Sequence, residues 1–292
     1  MLRSLVGSEM CIRDRSKASK WAWRLIFLLG IVIMLYPLIN RLYYRIDSTE
    51  QVDTFKAGTE DLSTEEVKRR MDLAHAYNES LSGKIADDPY TREKQEEGRK
   101  EYARMLEVAE MIGHIEVPRI NQDLPIYAGT SEDILQKGAG HLEGTSLPVG
   151  GNSTHAVITA HSGLPEATLF TNLRELEIGD KFYVHNIEGV MAYQVDQVKV
   201  IEPSNFDDLV VAPGHDYVTL LTCTPLMINT HRLIVRGHRV PYVPAVDEEL
   251  IRTNKANWMF RILFFVALFS ILVLIIRPVS YTHLRAHETP EH

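Results

Sequence analysis

Short apolar runs alternate with turn residues from residue 112 onward, a pattern that predicts a β-rich region. The runs are rich in β-branched and aromatic residues, which suit a pleated and partly buried surface. Many short strands without regular helices between them indicate a closed or nearly closed β-barrel over residues 111–243, with one short helix within Leu164–Leu176. The predicted strands are Ile112–Val117, Pro125–Tyr127, His155–Ala160, Lys181–Val184, Met191–Val200, Tyr217–Thr222 and Leu233–Val240.

Two longer apolar runs flank this region and predict transmembrane helices. They are Trp21–Ile39, which contains Arg24, and Trp258–Ile276, which contains Arg261 near one end. About 20 apolar residues cross a bilayer as a helix, and an arginine near an end can reach the interface. No small-residue cleavage site follows the first run, so we interpret it as an uncleaved signal-anchor. Two spans put residues 45–255 on one side of the membrane. The lysines and arginines beside the spans do not decide between the two sides. We expect residues 45–255 to be exported.

Residues 45–110 are polar and predict a helical extension ahead of the barrel. Ser63–Glu66 has the pattern of a capping box, and apolar residues follow it at helical spacing. A second helical run, Glu93–Ile112, is rich in Glu, Lys, Arg and Ala. The link Ile85–Tyr90 between them contains a proline, which prevents the helix from continuing.

The two ends of the chain, residues 1–15 and 279–292, have neither helical nor strand periodicity. Both resemble peptides translated from sequencing-adapter DNA, which predicts that neither belongs to the natural protein. A pair of short disordered cytoplasmic tails is the alternative. We therefore leave both segments out of the fold prediction.

Composition narrows the possible functions. The formal net charge of −8 and the lack of a basic cluster argue against a nucleic-acid-binding surface. The only cysteines are Cys11 and Cys223, on opposite sides of an apolar span, so no disulfide framework is indicated. Neither the histidine spacing nor the acidic residues suggest a zinc or calcium site, and we expect no cofactor.

Three residues at predicted strand ends indicate a candidate catalytic site. Cys223 ends one strand and Arg232 opens the next, so a hairpin would bring a thiol and a guanidinium to one rim. His161 follows the strand His155–Ala160 directly. A thiol, an imidazole and a guanidinium are suited to act as nucleophile, proton carrier and oxyanion partner.

Each of these residues also has a purely structural interpretation. A lone strand cysteine is usually a small buried hydrophobe, and a single histidine or arginine usually lies on the surface. The polar neighbours Thr222 and Thr224 favour a functional cysteine. Strand alternation places Arg232 and Arg236 on one face, so periodicity does not choose between them.

Four blocks of sequence resemble sortases, the cysteine transpeptidases that attach proteins to Gram-positive cell surfaces. The likeness covers roughly residues 45 to 276. One block, Asn229–Gly237, is similar to the pilin-polymerising branch called class C. The other blocks are Thr219–Cys223 with its following Arg232, Gly140–Pro148 and Ile158–Pro165.

The resemblance implies a mainly β fold, a closed sortase-type barrel, and a role for each candidate residue. Cys223 would be the nucleophile and His161 would exchange protons with the leaving and incoming amines. The resemblance also selects Arg232, rather than Arg236, to stabilise the oxyanion or the bound substrate carbonyl.

The resemblance further implies a lid over the catalytic cleft. Class C sortases carry an Asp-Pro-aromatic triplet there, which Asp88, Pro89 and Tyr90 match. Tyrosine stands where phenylalanine or tryptophan is more usual. An ordinary loop with an Asp-Pro turn is the alternative interpretation, but the position just before the first barrel strand favours a lid.

The expected function is that of a membrane-anchored cysteine transpeptidase with an extracellular catalytic domain. It would cleave a Leu-Pro-x-Thr-Gly-like sorting signal and join the acyl group to a lysine amine of a pilin subunit. The alternatives are a sortase that anchors proteins to cell-wall peptidoglycan, or a non-catalytic exported assembly protein. The expected partners are pilin or surface-protein substrates and the membrane, without nucleic acid.

Overall fold

The computed structural model of the chain describes residues 17–81 and 105–252, together with the helical positions 264, 267 and 270. Residues 244–252 are also helical. The three helices with full bounds are α1 (Lys17–Glu60), α2 (Thr64–Ser80) and α3 (Glu132–Lys137). The strands are β1 (Met111–Val117), β2 (Gln122–Ala128), β3 (Ala139–His141), β4 (Thr154–Thr159), β5 (Lys181–His185), β6 (Val190–Ile201), β7 (Asp216–Thr224) and β8 (His231–Val240).

The eight strands form a closed barrel in the order β1-β2-β3-β4-β7-β8-β6-β5. The pairs β2–β3 and β4–β7 are parallel, and the other pairs are antiparallel. Apolar side chains from every strand meet in the barrel's core. The predicted closed barrel is therefore confirmed.

The strand predictions succeed where the run contains a β-branched residue and fail where it contains none. All seven predicted strands are present, with small differences at their ends. The sequence did not predict β3, because Ala139–His141 is only three residues long and has no β-branched side chain. The helix expected within Leu164–Leu176 is only a short 3-10 turn, Leu173–Glu175.

Helix α2 is fixed to the barrel by one asparagine. Ser63 caps the helix as predicted, its hydroxyl accepting a hydrogen bond from the Glu66 amide at 3.2 Å. Near the other end, the Asn78 side chain donates to the Leu147 carbonyl at 3.2 Å and accepts from the Leu147 amide at 2.7 Å. Met71 and Ala74 are buried on the same helix. The end of α2 is thus held against the loop between β3 and β4.

Helix α1 packs its C-terminal part against the barrel. Val52 and Phe55 are buried there. The Ser48 hydroxyl donates to the carbonyl of Asp123 in β2 at 3.0 Å. The Tyr44 hydroxyl donates to the carbonyl of Lys137, the last residue of α3, at 2.6 Å. The helix therefore contacts the barrel at several points along its length.

Helix α1 also contains the first predicted transmembrane run, Trp21–Ile39. Within the described ranges, no helix combines the length and apolarity needed to cross a bilayer. The second predicted span, Trp258–Ile276, lies outside the described residues apart from three positions. The segments 1–15 and 279–292 and the predicted lid also lie outside them.

Asp247 anchors the helical residues 244–252 to the barrel. Its carboxylate accepts hydrogen bonds from the Val243 amide at 2.7 Å, the Lys181 ammonium at 2.9 Å and the Tyr183 hydroxyl at 2.9 Å. Burial alone would raise the pKa of this carboxyl, but the bonds from Val243, Lys181 and Tyr183 together lower the pKa below its ordinary value. The segment after β8 is therefore tied back to β5.

We expect Asp247→Ala to lower the free energy of unfolding by about 3 kcal/mol, because it removes the buried anion that accepts hydrogen bonds from Lys181, Tyr183 and Val243. Urea unfolding at neutral pH measures this loss. Glu248→Gln is the matched control, since Glu248 is exposed on the same helix, and we expect it to unfold like the parent protein.

The stabilisation that the Asp247 carboxylate provides should be present at neutral pH and be lost in acid. Because folding lowers the pKa of Asp247, the stabilisation is complete above the ordinary carboxyl pKa of about 3.9. It is lost as the pH falls through the lower folded-state pKa. The stability difference between the parent protein and Asp247→Ala should therefore shrink under acid conditions, and a constant difference would contradict this account.

Candidate active site

The parallel pairing of β4 with β7 brings His161 to the level of Cys223. The register pairs Thr159 with Leu221. It continues past the end of β4, where the Ala160 amide donates to the Leu221 carbonyl at 3.2 Å. His161 comes next, two positions after Thr159, just as Cys223 lies two positions after Leu221.

Two side-chain hydroxyls reinforce this junction. The Thr222 hydroxyl donates to the Ala160 carbonyl at 2.7 Å, and the Ser162 hydroxyl donates to the Cys223 carbonyl at 2.7 Å. One bond is made by the residues just before His161 and Cys223, and the other is made by Ser162, the residue just after His161. The backbone that carries the imidazole is attached directly to the backbone that carries the thiol.

The antiparallel pairing of β7 with β8 places Arg232 directly opposite Cys223. Cys223 is partly exposed, whereas Arg232 is buried. The Arg232 guanidinium donates through Nη1 to the carbonyls of Asn229 and His231, both at 3.2 Å. The predicted hairpin, with its thiol and guanidinium at one rim, is thus present.

The structure distinguishes Arg236 from Arg232. Arg236 lies opposite Thr219, further from Cys223 along the hairpin. Its Nε and Nη2 atoms donate to the two carboxylate oxygens of Asp196 at 2.9 and 3.2 Å, and its guanidinium lies 4.3 Å from the ring centre of Tyr217. Arg236 is therefore engaged in a forked ion pair away from the thiol.

His161 contacts a carboxylate that the sequence did not identify. Its Nε2 atom lies 3.3 Å from Oε1 of Glu132, the first residue of α3. The sequence Ser-Glu-Asp at 131–133 has the composition of a helix start, with a capping serine before two acidic residues. That signal could have predicted the helix, but no sequence pattern links it to a histidine 29 positions later.

Two other histidines have structural roles. His141 shares a hydrogen bond with the Ser146 carbonyl at 2.8 Å, and His155 lies 3.0 Å from the Val210 carbonyl and 2.7 Å from the Thr219 hydroxyl. Burial lowers the pKa of each to about 4. Both rings are therefore neutral at ordinary pH and serve the barrel's packing.

No group of three or more His, Cys, Asp and Glu side chains suited to a metal occurs in the described part of the chain. The candidate site itself presents a thiol, an imidazole, a guanidinium and a carboxylate. The predicted lid residues, Asp88, Pro89 and Tyr90, lie outside the described residues. Their placement relative to Cys223 remains a prediction.

Comparisons with known proteins identify the family to which this barrel is related. A family model described as a sortase domain matches residues 115–240. Sortase A from Bacillus anthracis is 28% identical over 135 residues, which are 46% of this chain and 62% of that protein. The chain thus spans less than two thirds of that relative's length. Sortase D from Bacillus subtilis (strain 168) is 25% identical over 64% of this chain and 89% of that protein.

Two solved structures are more similar in sequence to this chain than those two proteins are. Sortase C-1 from Streptococcus pneumoniae is 65% identical with a TM-score of 0.64, and the match covers 66% of this chain and 100% of that one. The chain belongs to the sortase family, in its class C branch. A pilus-related sortase C of group B Streptococcus is 62% identical with a TM-score of 0.62, covering 66% of this chain and 98% of that one. Membership of the sortases confirms the prediction of a cysteine transpeptidase.

In this sortase, we expect Thr222→Val to weaken the junction between β4 and β7. The substitution leaves the buried Ala160 carbonyl without its hydroxyl donor, which costs about 1–3 kcal/mol. Thr222→Ser keeps a hydroxyl and is the matched control. Urea unfolding compares the two variants, and equal midpoints for valine and serine would show that the hydroxyl bond contributes nothing.

Proposed function

We propose that this sortase cleaves a Leu-Pro-x-Thr-Gly-like sorting signal with Cys223, His161 and Arg232 as its catalytic residues. The observation that carries the proposal is the arrangement on β7. Cys223 pairs with Arg232 on β8. On the other side of β7, the register with β4 brings His161, which follows β4, to the level of Cys223. A cation and an imidazole beside a thiol favour the thiolate, which is the nucleophile in catalysis by cysteine.

The first step forms an acyl-enzyme. The Cys223 thiolate attacks the threonine carbonyl carbon of the signal, and the Arg232 guanidinium donates hydrogen bonds to the developing oxyanion. The C–N bond to glycine then breaks, and protonated His161 gives its proton to the leaving amine. The products are a thioester on Cys223 and a free amino-terminal glycine fragment.

The second step transfers the acyl group to an amine. A lysine amine of a pilin subunit attacks the thioester carbonyl, and His161 accepts the proton that the amine loses. The C–S bond breaks, the Cys223 thiolate is released, and an isopeptide bond joins the two proteins. No cofactor enters either step.

Pilus assembly is favoured over wall anchoring by the class of the similar structures. The match to a pilus-related sortase C of group B Streptococcus supports a pilin acceptor. The alternative acceptor is the amine of a cell-wall peptide. Incubating the protein with purified pilin distinguishes the two: lysine-linked oligomers support the proposal, and transfer only to a wall-type peptide amine would overturn it.

The proposal includes a membrane anchor with an extracellular catalytic domain. Its support is the apolar run Trp21–Ile39, in which the described side chains at Leu25, Ile26, Leu29 and Ile33 are more than half exposed. Large apolar side chains that the protein leaves uncovered are compatible with a lipid environment. Fractionation of expressing cells, with protease treatment of intact cells, tests both the anchor and its orientation.

We expect substitution of each catalytic residue to remove nearly all product. Cys223→Ala should form no acyl-enzyme, His161→Ala should fail in proton transfer, and Arg232→Lys should fail because an ammonium lacks the forked donor geometry. Arg236→Ala is the matched control for the arginine, and it should retain transfer while losing stability. The opposite ranking of the two arginines would show that Arg232 was the wrong choice.

We also propose that residues 85–90 form a lid that restrains the free enzyme. Asp88 offers a carboxylate to Arg232, and Tyr90 offers a ring to the Cys223 sulfur. Pro89 stiffens the link between them and lowers the entropy lost on closing. A lid of this kind lowers apparent substrate affinity by the fraction of molecules that are open.

Replacing Asp88 and Tyr90 together with alanine should speed thiol modification of Cys223 and raise cleavage of a short signal peptide. The reason is that the closed state loses both of its contacts with the site. Rates of reaction with a thiol reagent measure the effect directly. Unchanged rates in the double variant would mean that the segment is only a linker.

A further inference from the structure

A cavity of about 240 Å³ lies between helix α1 and the barrel, and the proposed catalytic scheme does not use it. Helix α1 contributes Arg41, Arg45 and Thr49 to its lining, and residues 121–124, at the start of β2, contribute to it from the barrel. Thr168, in the loop that follows β4, also lines it. The cavity therefore lies where the helix that carries the proposed membrane anchor meets the barrel.

The two arginines of α1 bring positive charge to this cavity. The Arg45 guanidinium donates through Nη2 to the Asn121 carbonyl at 3.1 Å. Arg41 is exposed, and among the described residues its guanidinium makes one hydrogen bond, from Nε to the Pro165 carbonyl at 3.4 Å. Because a guanidinium carries five N–H donors in a planar fork, Arg41 can offer the donors on its Nη atoms to an anion in the cavity.

One carboxylate, that of Asp123, also lines the cavity. Its Oδ1 atom lies 2.9 Å from Nδ1 of His114, so it is engaged on the barrel side. Burial lowers the pKa of the Arg45 guanidinium, because removal from water disfavours the charged form. An anion in the cavity would favour that form again. With two guanidinium groups and one carboxylate in its lining, the cavity suits an anionic ligand.

Both arginines follow the predicted membrane span directly along α1. The span ends at Ile39, whose side chain is exposed, and the helix continues to Glu60. At a rise of 1.5 Å per residue, Arg41 and Arg45 lie about 3 and 9 Å beyond Ile39 along the helix axis, and a tilt brings them closer to the bilayer. Helical side chains also lean toward the N-terminus, here toward the membrane. The head-group layer of one leaflet is about 5–8 Å thick, so both guanidinium groups reach it.

We propose that this cavity binds the phosphate head group of an anionic phospholipid from the membrane that holds α1. The proposal rests on the membrane anchor proposed above. Arg41 and Arg45 hold the phosphate through charge-assisted hydrogen bonds, and the acyl chains stay in the bilayer. Because Thr168 lines the same cavity, the bound head group joins α1 to the loop that begins at His161 and ties the barrel to the membrane surface.

Native mass spectrometry of the full chain in detergent tests the proposal by counting retained lipids. The probes are palmitoyl-oleoyl phosphatidylglycerol, which is anionic, and the matching phosphatidylcholine, which is zwitterionic, supplied in equal amounts. We expect the parent protein to retain one phosphatidylglycerol with about 10-fold preference, the ratio that one charge-assisted hydrogen bond supplies. Excess inorganic phosphate should leave it bound, because the lipid's chains share the micelle with the anchor and raise its effective concentration.

Substitution of the arginines locates the bound lipid. Arg41→Gln and Arg45→Gln should each weaken retention about 10-fold, and Arg41→Lys should keep part of it. Arg119→Gln is the matched control, because Arg119 precedes the same turn but lies near Glu177 and Asp180 instead, and it should bind like the parent protein. Arg41 is exposed, so its substitution tests binding even where loss of the Arg45 bond disturbs the fold.

Three results would overturn the proposal. Equal retention of the two lipids by the parent protein would show that head-group charge is not recognised. Displacement of phosphatidylglycerol by inorganic phosphate would assign the cavity to a free anion. Parent-like retention in both Arg41→Gln and Arg45→Gln would place the lipid elsewhere on the chain.

Flotation of the full chain with vesicles of phosphatidylcholine alone separates these failures from failure of the anchor. A chain that floats is anchored, whatever its cavity binds, so the lipid-binding results then decide the proposal. A chain that stays in solution overturns the anchor and this proposal together.

Discussion

The hydrogen bonding of β7 on both sides is the constraint on which the candidate site depends. One neighbour runs parallel and leads to His161, and the other runs antiparallel and begins at Arg232 opposite Cys223. The relative positions of the three candidate residues are therefore set by the registers of two strand pairs. A one-residue slip in either pair would turn a side chain to the opposite face. On the β4 side, the hydroxyl bonds of Thr222 and Ser162 join the two backbones at the level of the site and oppose such a slip.

Outside the barrel, the helical extension is attached at defined points. Asn78 binds both backbone groups of Leu147, and Leu106, on the far side of the predicted lid, is fully buried. The segment between them therefore begins and ends at positions fixed against the barrel. The lid proposed for residues 85–90 would for this reason lose less conformational entropy on closing than a free tail.

The sequence was sufficient for the features that depend on local pattern. β-branched runs predicted seven of the eight strands, and the hairpin carrying Cys223 and Arg232 followed from where those runs end. Contacts between distant segments could not be obtained in this way. Alternation left Arg232 and Arg236 equivalent, and the β7–β8 register together with the pairing of Arg236 with Asp196 on another strand separates them. Glu132 was missed for the same reason, because its link to His161 passes through α3 and β3.

The closure of the barrel has a consequence for how a peptide is recognised. Among the described residues, every strand has a neighbouring strand on each side over at least part of its length, which limits the places where an incoming strand can extend the sheet. Side chains and the loops at the barrel's rim are then the main groups available to hold an extended sorting signal. Selectivity among signals can therefore change through substitutions in those loops, while the backbone pairing that sets the distance between thiol and guanidinium stays the same.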